Sequence, residues 1–493
     1  MQHSRGRVSF ARYAAEWSGR PLRDILAGMV GTFALIPEVI AFSFVAGVDP
    51  QVGLYATFVI GIVIAFCGGR PAMISGAAGS VALVAAALVH SYGLQYLLAA
   101  TLLAGVIQVA FGLLRLEVLM RFVSRSVRTG FVNALAILIF SAQVPQMLGV
   151  TWHTYAMIAL GLAIIYLAPR LTTAVPSPLI CIVVLTAIAI AVPMPLHTVA
   201  DLGRLPDDLP ALVLPHVSVS LDTLRIIAPY ALAIAMVGLL ESMMTASVVD
   251  DLTETTSSKR QECIGLGLAN LAAGLFGGIA GCGMIGQTVG NVRYGGRSRL
   301  STLVAGLFLL VLMVALRPWV ARVPVAALVA IMIMVSISTF SWTSLRTLMT
   351  HPKVSSAVML ATVAVVVATK DLALGVCVGV LLSGVFFAFK VMRLMQVQSV
   401  LDEATGARVY TVTGQVFFAS AEMFADAFDL RDTAPRVRID LRGAHLWDVT
   451  AVAALEGVVG KMRRHGAQVE VVGLNEASAL LVDRHSEIEL AEG

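Results

Sequence analysis

Long apolar runs separated by short polar breaks fill the chain up to about residue 396. A hydrocarbon core of ~30 Å needs roughly 20 apolar residues of helix to cross it. Runs of that kind begin near Ile25, Val52, Ile74, Tyr96, Thr129, Tyr155 and Ser177. A second series begins near Leu224, Cys263, Ile285, Leu300, Val323, Val354 and Asp371. The pattern predicts about fourteen membrane helices, seven on each side of a polar stretch at residues 201–222. Beyond residue 396 the runs shorten. Residues 409–412, 437–441 and 469–472 read as strands, and 421–428 and 452–464 have helical spacing. The chain therefore divides into a tail (1–23), a mostly α transmembrane domain (24–396, halves 24–195 and 224–396) and a small soluble α/β domain (404–493).

Composition agrees with a bilayer as solvent. Of 493 residues, 58% are hydrophobic and 13% charged, against roughly 25% charged in soluble domains. The net charge of +4 gives no electropositive surface for nucleic acid. Cys67, Cys181, Cys263, Cys282 and Cys377 lie in apolar or Gly-rich stretches without metal-ligand spacing, so they read as small core residues. His90, His153, His197, His216 and His351 fall near helix ends and read as interfacial. No Walker motif, nucleophile elbow or metal-spaced cluster is present, which argues against an enzyme. The tail through Arg23 is basic and lacks a cleavage pattern, so the first apolar run is expected to stay as a span.

Lys and Arg collect after every even-numbered run, for example Arg121, Arg125 and Arg128 after the fourth and Arg293, Arg297 and Arg299 after the tenth. Arg317 and Arg322 break the rule. The positive-inside bias predicts an inner-membrane protein with both termini in the cytosol.

The two halves correspond weakly. Each has a carboxylate in its first span, Glu38 and Glu241. Each then has a Gly-rich break opening a short apolar run: Ser75-Gly76-Ala77-Ala78-Gly79-Ser80, and Gly281-Cys282-Gly283-Met284-Ile285-Gly286-Gln287-Thr288. An odd number of spans per half makes such repeats inverted, and matched interrupted helices point to a midplane binding site. A half-helix that starts inside the membrane leaves its first N–H groups unpaired and presents about half a positive charge. Two such ends facing each other suit an anion without a buried Lys or Arg. An ionisable group at membrane depth costs roughly 2.5–3.5 kcal/mol, which marks Glu38 and Glu241 as functional candidates. Pro37 frees the carbonyl one turn back, beside Glu38. Phe42 lies one turn from Glu38 and is a candidate wall for the ligand. Thr245 lies one turn from Glu241, and the pair offers oxygen ligands suited to Na⁺.

These residues resemble the sulfate permease (SulP) family, the solute carrier 26 group. Leu35-Ile36-Pro37-Glu38 through Ala41-Phe42, then Gly53-Leu54-Tyr55, resembles its L-P-Q-G-x-A-[FY] … G-L-Y. Residues 262–270 with Phe276-Gly277-Gly278 resemble E-L-x-G-Q-G-x-x-N … F-F-G-G. Residues 287–299 resemble R-[ST]-x-x-N … G-G-[RK]-[ST]-[RQ]. The C-terminal part is similar to a STAS domain, with Asp440-Leu441-Arg442 and Asp448-Val449-Thr450 at its signature. The resemblance implies a seven-plus-seven inverted repeat, with spans 1–4 and 8–11 as a core domain and 5–7 and 12–14 as a gate domain. It implies no cofactor, a homodimer, a cytosolic partner surface on the STAS domain, and an anion held between spans 3 and 10. By position the substrate residues would be Glu38, Phe42, Ala77, Ala78, Gly79, Ile285, Gly286, Gln287 and Thr288, with Glu38, Glu241 and Thr245 coupling a proton or Na⁺.

Two departures shape the expected function. Glu38 stands where many members have Gln, and Gln287 where they have Arg; Ala77-Ala78 replaces Pro-Phe. An anion at roughly 4 Å from an ionised Glu38 would be repelled by about 4 kcal/mol at an effective dielectric of about 20, a cost that a proton removes. The expectation is proton-coupled symport of a dicarboxylate such as fumarate or succinate, or of sulfate, by alternating access. Na⁺-driven bicarbonate uptake is one alternative. A passive anion channel and a membrane-anchored signalling module are alternatives from other classes.

Overall fold

The computed structural model describes residues 10–17, 19–171, 175–192, 194–206, 209–218, 220–350, 353–403, 405–429 and 434–486. His351, and Arg5 and Arg7 of the basic tail, lie outside them. The chain divides into two compact units, Met1–Val380 and Leu381–Gly493.

Fourteen helices of the described residues correspond, in chain order, to the fourteen expected runs. The first seven are α1 (Pro21–Ala46), α2 (Pro50–Cys67), α3 (Gly79–Tyr92), α4 (Leu94–Leu113), α5 (Arg125–Gln143), α6 (Trp152–Leu171) and α7 (Ser177–Ala191). The next seven are α8 (Leu221–Thr253), α9 (Lys259–Leu275), α10 (Ile285–Arg293), α11 (Arg299–Ala315), α12 (Val325–Thr339), α13 (Lys353–Thr369) and α14 (Leu372–Met392). By length and composition α1, α2, α4, α5, α6, α8 and α14 can each cross a membrane. Helices α3, α7, α11, α12 and α13 are shorter and apolar. Most begin within four residues of the expected positions, because apolar runs of Ala, Leu and Val both form helix and set its length. Proline, at Pro21 and Pro50, opens α1 and α2. Serine side chains cap α8, α9 and α11 through Ser220, Ser258 and Ser298.

The third run differs from its expectation. Its helix starts at Gly79, not near Ile74, and residues Ser75–Ala77 form a strand, β1. Gly281–Gly283 form a second strand, β2, ahead of α10. The two pair antiparallel, with Gly76 opposite Cys282. At ~1.5 Å per residue α3 is about 21 Å long and α10 about 14 Å, both short of the hydrocarbon thickness. Backbone polar groups inside a bilayer must be satisfied within the protein. Pairing two short extended segments with each other is one way to do it.

Packing sorts the helices into two groups. Helix α1 packs on α2, α3, α10 and α11; α4 packs on α8 and α9. Separately, α5 packs on α12 and α13, and α6 on α7 and α12. Close approach rests on small residues: a Cβ built on Gly61 of α2 would stand 3.2 Å from the Gly306 Cα of α11. Between α7 and α8, Val199 and Ala200 donate to the carbonyls of Val323 and Ala321, 2.9 and 3.1 Å.

The second unit is a four-stranded sheet in the order β3 (Gln396–Asp402), β4 (Ala407–Val416), β5 (Arg436–Leu446), β6 (Gln468–Val472). β3 runs antiparallel to β4, and the other pairs are parallel. Helices α15 (Ala421–Asp426), α16 (Val449–Arg464) and α17 (Glu476–His485) complete it. Tyr410, Val412, Phe424, Ile439, Leu441, Val452 and Leu455 form its core. Two elements went unread in the sequence: β3, an exposed edge strand with almost no buried face, and α17, a polar helix.

Candidate functional site

The site grows from the β1–β2 crossing. Its outer edges are closed by side chains from the surrounding helices. Thr57 of α2 accepts from the Ala77 N–H at 3.0 Å. Asn270 of α9 accepts from the Gly281 N–H at 2.8 Å and donates to the Gly281 carbonyl at 3.1 Å and to Gln108 at 2.8 Å. Ser242 of α8 accepts from the Gly283 N–H at 2.8 Å, and Thr245 donates to the Gly283 carbonyl at 2.9 Å. Thr288 of α10 accepts from the Ile74 N–H at 3.0 Å. The crossing is tight: a Cβ on Gly281 would lie 2.1 Å from the Gly76 carbonyl oxygen.

From the crossing, α3 and α10 start without a side-chain cap. Their first N–H groups and dipoles are left for something else. Both ends open on a cavity of about 710 Å³. Glu38, Phe42, Ala78, Gly79, Glu241, Ile285, Gly286 and Gln287 all line it. Glu38 and Gln287 neighbour one another in this space. Phe42 is 4% exposed and stacks its edge against the start of α3; a Cβ on Gly79 would meet the ring at 2.8 Å. The Glu241 carboxylate accepts from the Ser80 hydroxyl and from the Cys282 thiol, the latter at 3.1 Å. It therefore touches the first turn of α3 and the strand that precedes α10. The opposite wall comes from the other packing group: Phe131, Leu135 and Ile139 of α5, and Met334, Val335 and Ser338 of α12.

Eight of the sequence candidates thus meet in one space. Ala77, Thr245 and Thr288 stand behind it: their groups are spent on the crossing, and they are not in the lining. Sequence reasoning passed over Ser80 and Cys282, although both sit in the quoted Gly-rich stretches, because a lone Ser or Cys in an apolar run carries no periodic signal. It also placed Arg293 only as an orientation marker; the structure puts it on the cavity wall. Among the described residues no group of His, Cys, Asp and Glu is arranged to hold a metal ion.

Comparison with known proteins places this geometry. The sulfate permease family matches residues 22–362 and the STAS domain matches 398–487. The putative sulfate transporter YbaR of Bacillus subtilis is 51% identical over 95% of this chain and 97% of its own. The bicarbonate transporter BicA of Picosynechococcus sp. is 28% identical over 91% of this chain and 88% of its own. The structure of the murine solute carrier 26 family member A9 anion transporter in the inward-facing state superposes with a TM-score of 0.83. It is 18% identical, over 98% of this chain and 92% of that one, so it speaks for the fold alone.

Proposed function

The chain belongs to the sulfate permease family of multi-pass membrane anion transporters, and from that premise we propose that it is a secondary active transporter that moves a small anion with a proton. It is a transporter and not an enzyme. The observation that carries the proposal is the meeting of two uncapped helix starts, α3 and α10, with Glu38 in one cavity. Among the described residues no Lys or Arg stands between the helix ends; Gln287 is there instead. Peptide N–H groups bind the anion, and Glu38 must be neutral when they do. Anion and proton therefore load together. Glu38 releases its proton on the far side, and the renewed charge expels the anion. Glu241, held by Ser80 and Cys282, keeps the two helix starts in register.

Ala78 on the lining leaves room for an extended substrate, which favours a dicarboxylate such as fumarate or succinate, with sulfate next. All fourteen helices serve as spans of an inverted repeat. The group around α1 moves against the group around α5 and α12 to give alternating access, in an inner membrane with both termini in the cytosol. The working unit is a homodimer, and the STAS domain is the surface for a cytosolic partner.

Uptake of labelled fumarate, succinate, sulfate and bicarbonate into proteoliposomes under an inward pH gradient tests this. Uptake should collapse with an uncoupler, and Glu38→Gln should uncouple transport from the gradient. Uptake indifferent to the gradient, or unchanged proton drive in Glu38→Gln, refutes the proposal. The similarity to a protein named as a bicarbonate transporter favours a second reading, Na⁺-coupled bicarbonate uptake with Glu241 and Thr245 near the ion. Replacing external Na⁺ by choline separates the two: only the second reading loses uptake.

A further inference from the structure

Arg293 ends α10 and is the one cation among the described residues that line the cavity. It is exposed, and among the described residues no ion-pair or hydrogen-bond partner meets its guanidinium. Seven residues before it, two helical turns and on the same face, lies Gly286; Gly290 lies between. A Cβ built on either glycine meets no atom within 4 Å. This face of α10 is therefore bare and faces open space. It runs about 10 Å from the uncapped helix start to Arg293. The Cα–Cβ bond of Arg293 leans back toward that start.

We propose that Arg293 and the bare Gly286–Gly290 face form a lane that draws the anion along α10 between the cavity mouth and the helix starts, with Arg293 setting the preference for negative charge. This rests on reading the cavity as the anion site. A guanidinium near the mouth, with two carboxyl groups deeper in, orders the charges along the path: attraction outside, a proton-dependent barrier inside. Large side chains on the lane face would close the path, and glycine keeps it open. Arg293 does not touch the anion at its deep position; it acts on arrival.

The test uses Gly290→Cys in the full-length protein in liposomes. It is treated with negatively and positively charged thiosulfonate reagents of equal size, and modification at position 290 is read by peptide mass spectrometry. The negative reagent should react faster. Adding Arg293→Gln should erase that preference, a change of about tenfold in the rate ratio, and Arg293→Lys should keep it. In parallel, Arg293→Gln should raise the KM for anion offered at the α10 C-terminal side about tenfold with kcat unchanged. A rate ratio indifferent to Arg293, or a position 290 that never reacts, overturns the lane. If wild type carries none of the anions while the rate ratio still follows Arg293, the transport proposal falls and the lane stands.

Discussion

The Asn270 side chain makes three hydrogen bonds in a place with no solvent, two of them to the backbone of Gly281. Buried amide groups left without a partner cost about 1–3 kcal/mol each. Asn270→Ala is therefore expected to lower the unfolding temperature of the purified protein sharply, and an unchanged melt would remove Asn270 from this role. The Cys282 thiol is a subtler case. It donates one weak hydrogen bond to Glu241, which a serine hydroxyl can replace and an alanine cannot. Cys282→Ser should keep uptake close to wild type, whereas Cys282→Ala should raise KM roughly threefold to tenfold, the range of one hydrogen bond. Equal KM values for the two variants would show that Glu241 is held by Ser80 alone. At this scale the sequence was readable for charge and poorly readable for contact. Glu38 and Glu241 stand out because carboxylates are rare in apolar runs. The partners Ser80, Cys282 and Asn270 are chosen by three-dimensional neighbours that no local spacing encodes.

Elements were far more legible. Helix starts fell near their expected places, because length and hydropathy are local properties. The exceptions are segments whose state depends on a distant partner. β1 exists because β2 lies opposite, some two hundred residues away; neither has a strand-like sequence. Packing between elements follows from small residues. Gly61→Leu would drive its side chain into the Gly306 backbone, at a cost of about 1–3 kcal/mol or more, and is expected to give aggregated protein in gel filtration; a monodisperse, stable variant would contradict the α2–α11 contact. The segment before α8 gives a pH prediction. Asp201 accepts from the Thr198 N–H at 2.7 Å and hydroxyl at 3.0 Å, and the backbone bond above all holds its carboxyl below the usual carboxylate range. A lowered folded-state pKa means stabilisation that is present above the ordinary carboxylate range and lost as pH falls through the folded value. Amide exchange at Val199 and Ala200 should therefore quicken, relative to the intrinsic rate, on acidification below about pH 4. In Asp201→Asn it should be fast already at neutral pH.

At the scale of the molecule, the second unit has its own core. Residues 396–486 expressed alone should melt cooperatively, with an enthalpy of about 60 kcal/mol at the midpoint. A broad, non-cooperative transition would show that the unit depends on the rest of the chain. The joined strands between α3 and α10 have a further consequence. Because the crossing is wired to α2, α8 and α9, the two helix starts are fixed to one another, and in the proposed transport cycle they travel as a single cradle. On that proposal the ligand is gripped in the same way whichever compartment it came from. The proposal then predicts that affinity and turnover are separable in engineering: changes in the cradle should alter which anion rides, and changes on the faces of α5 and α12 should alter how fast the cradle slides past them.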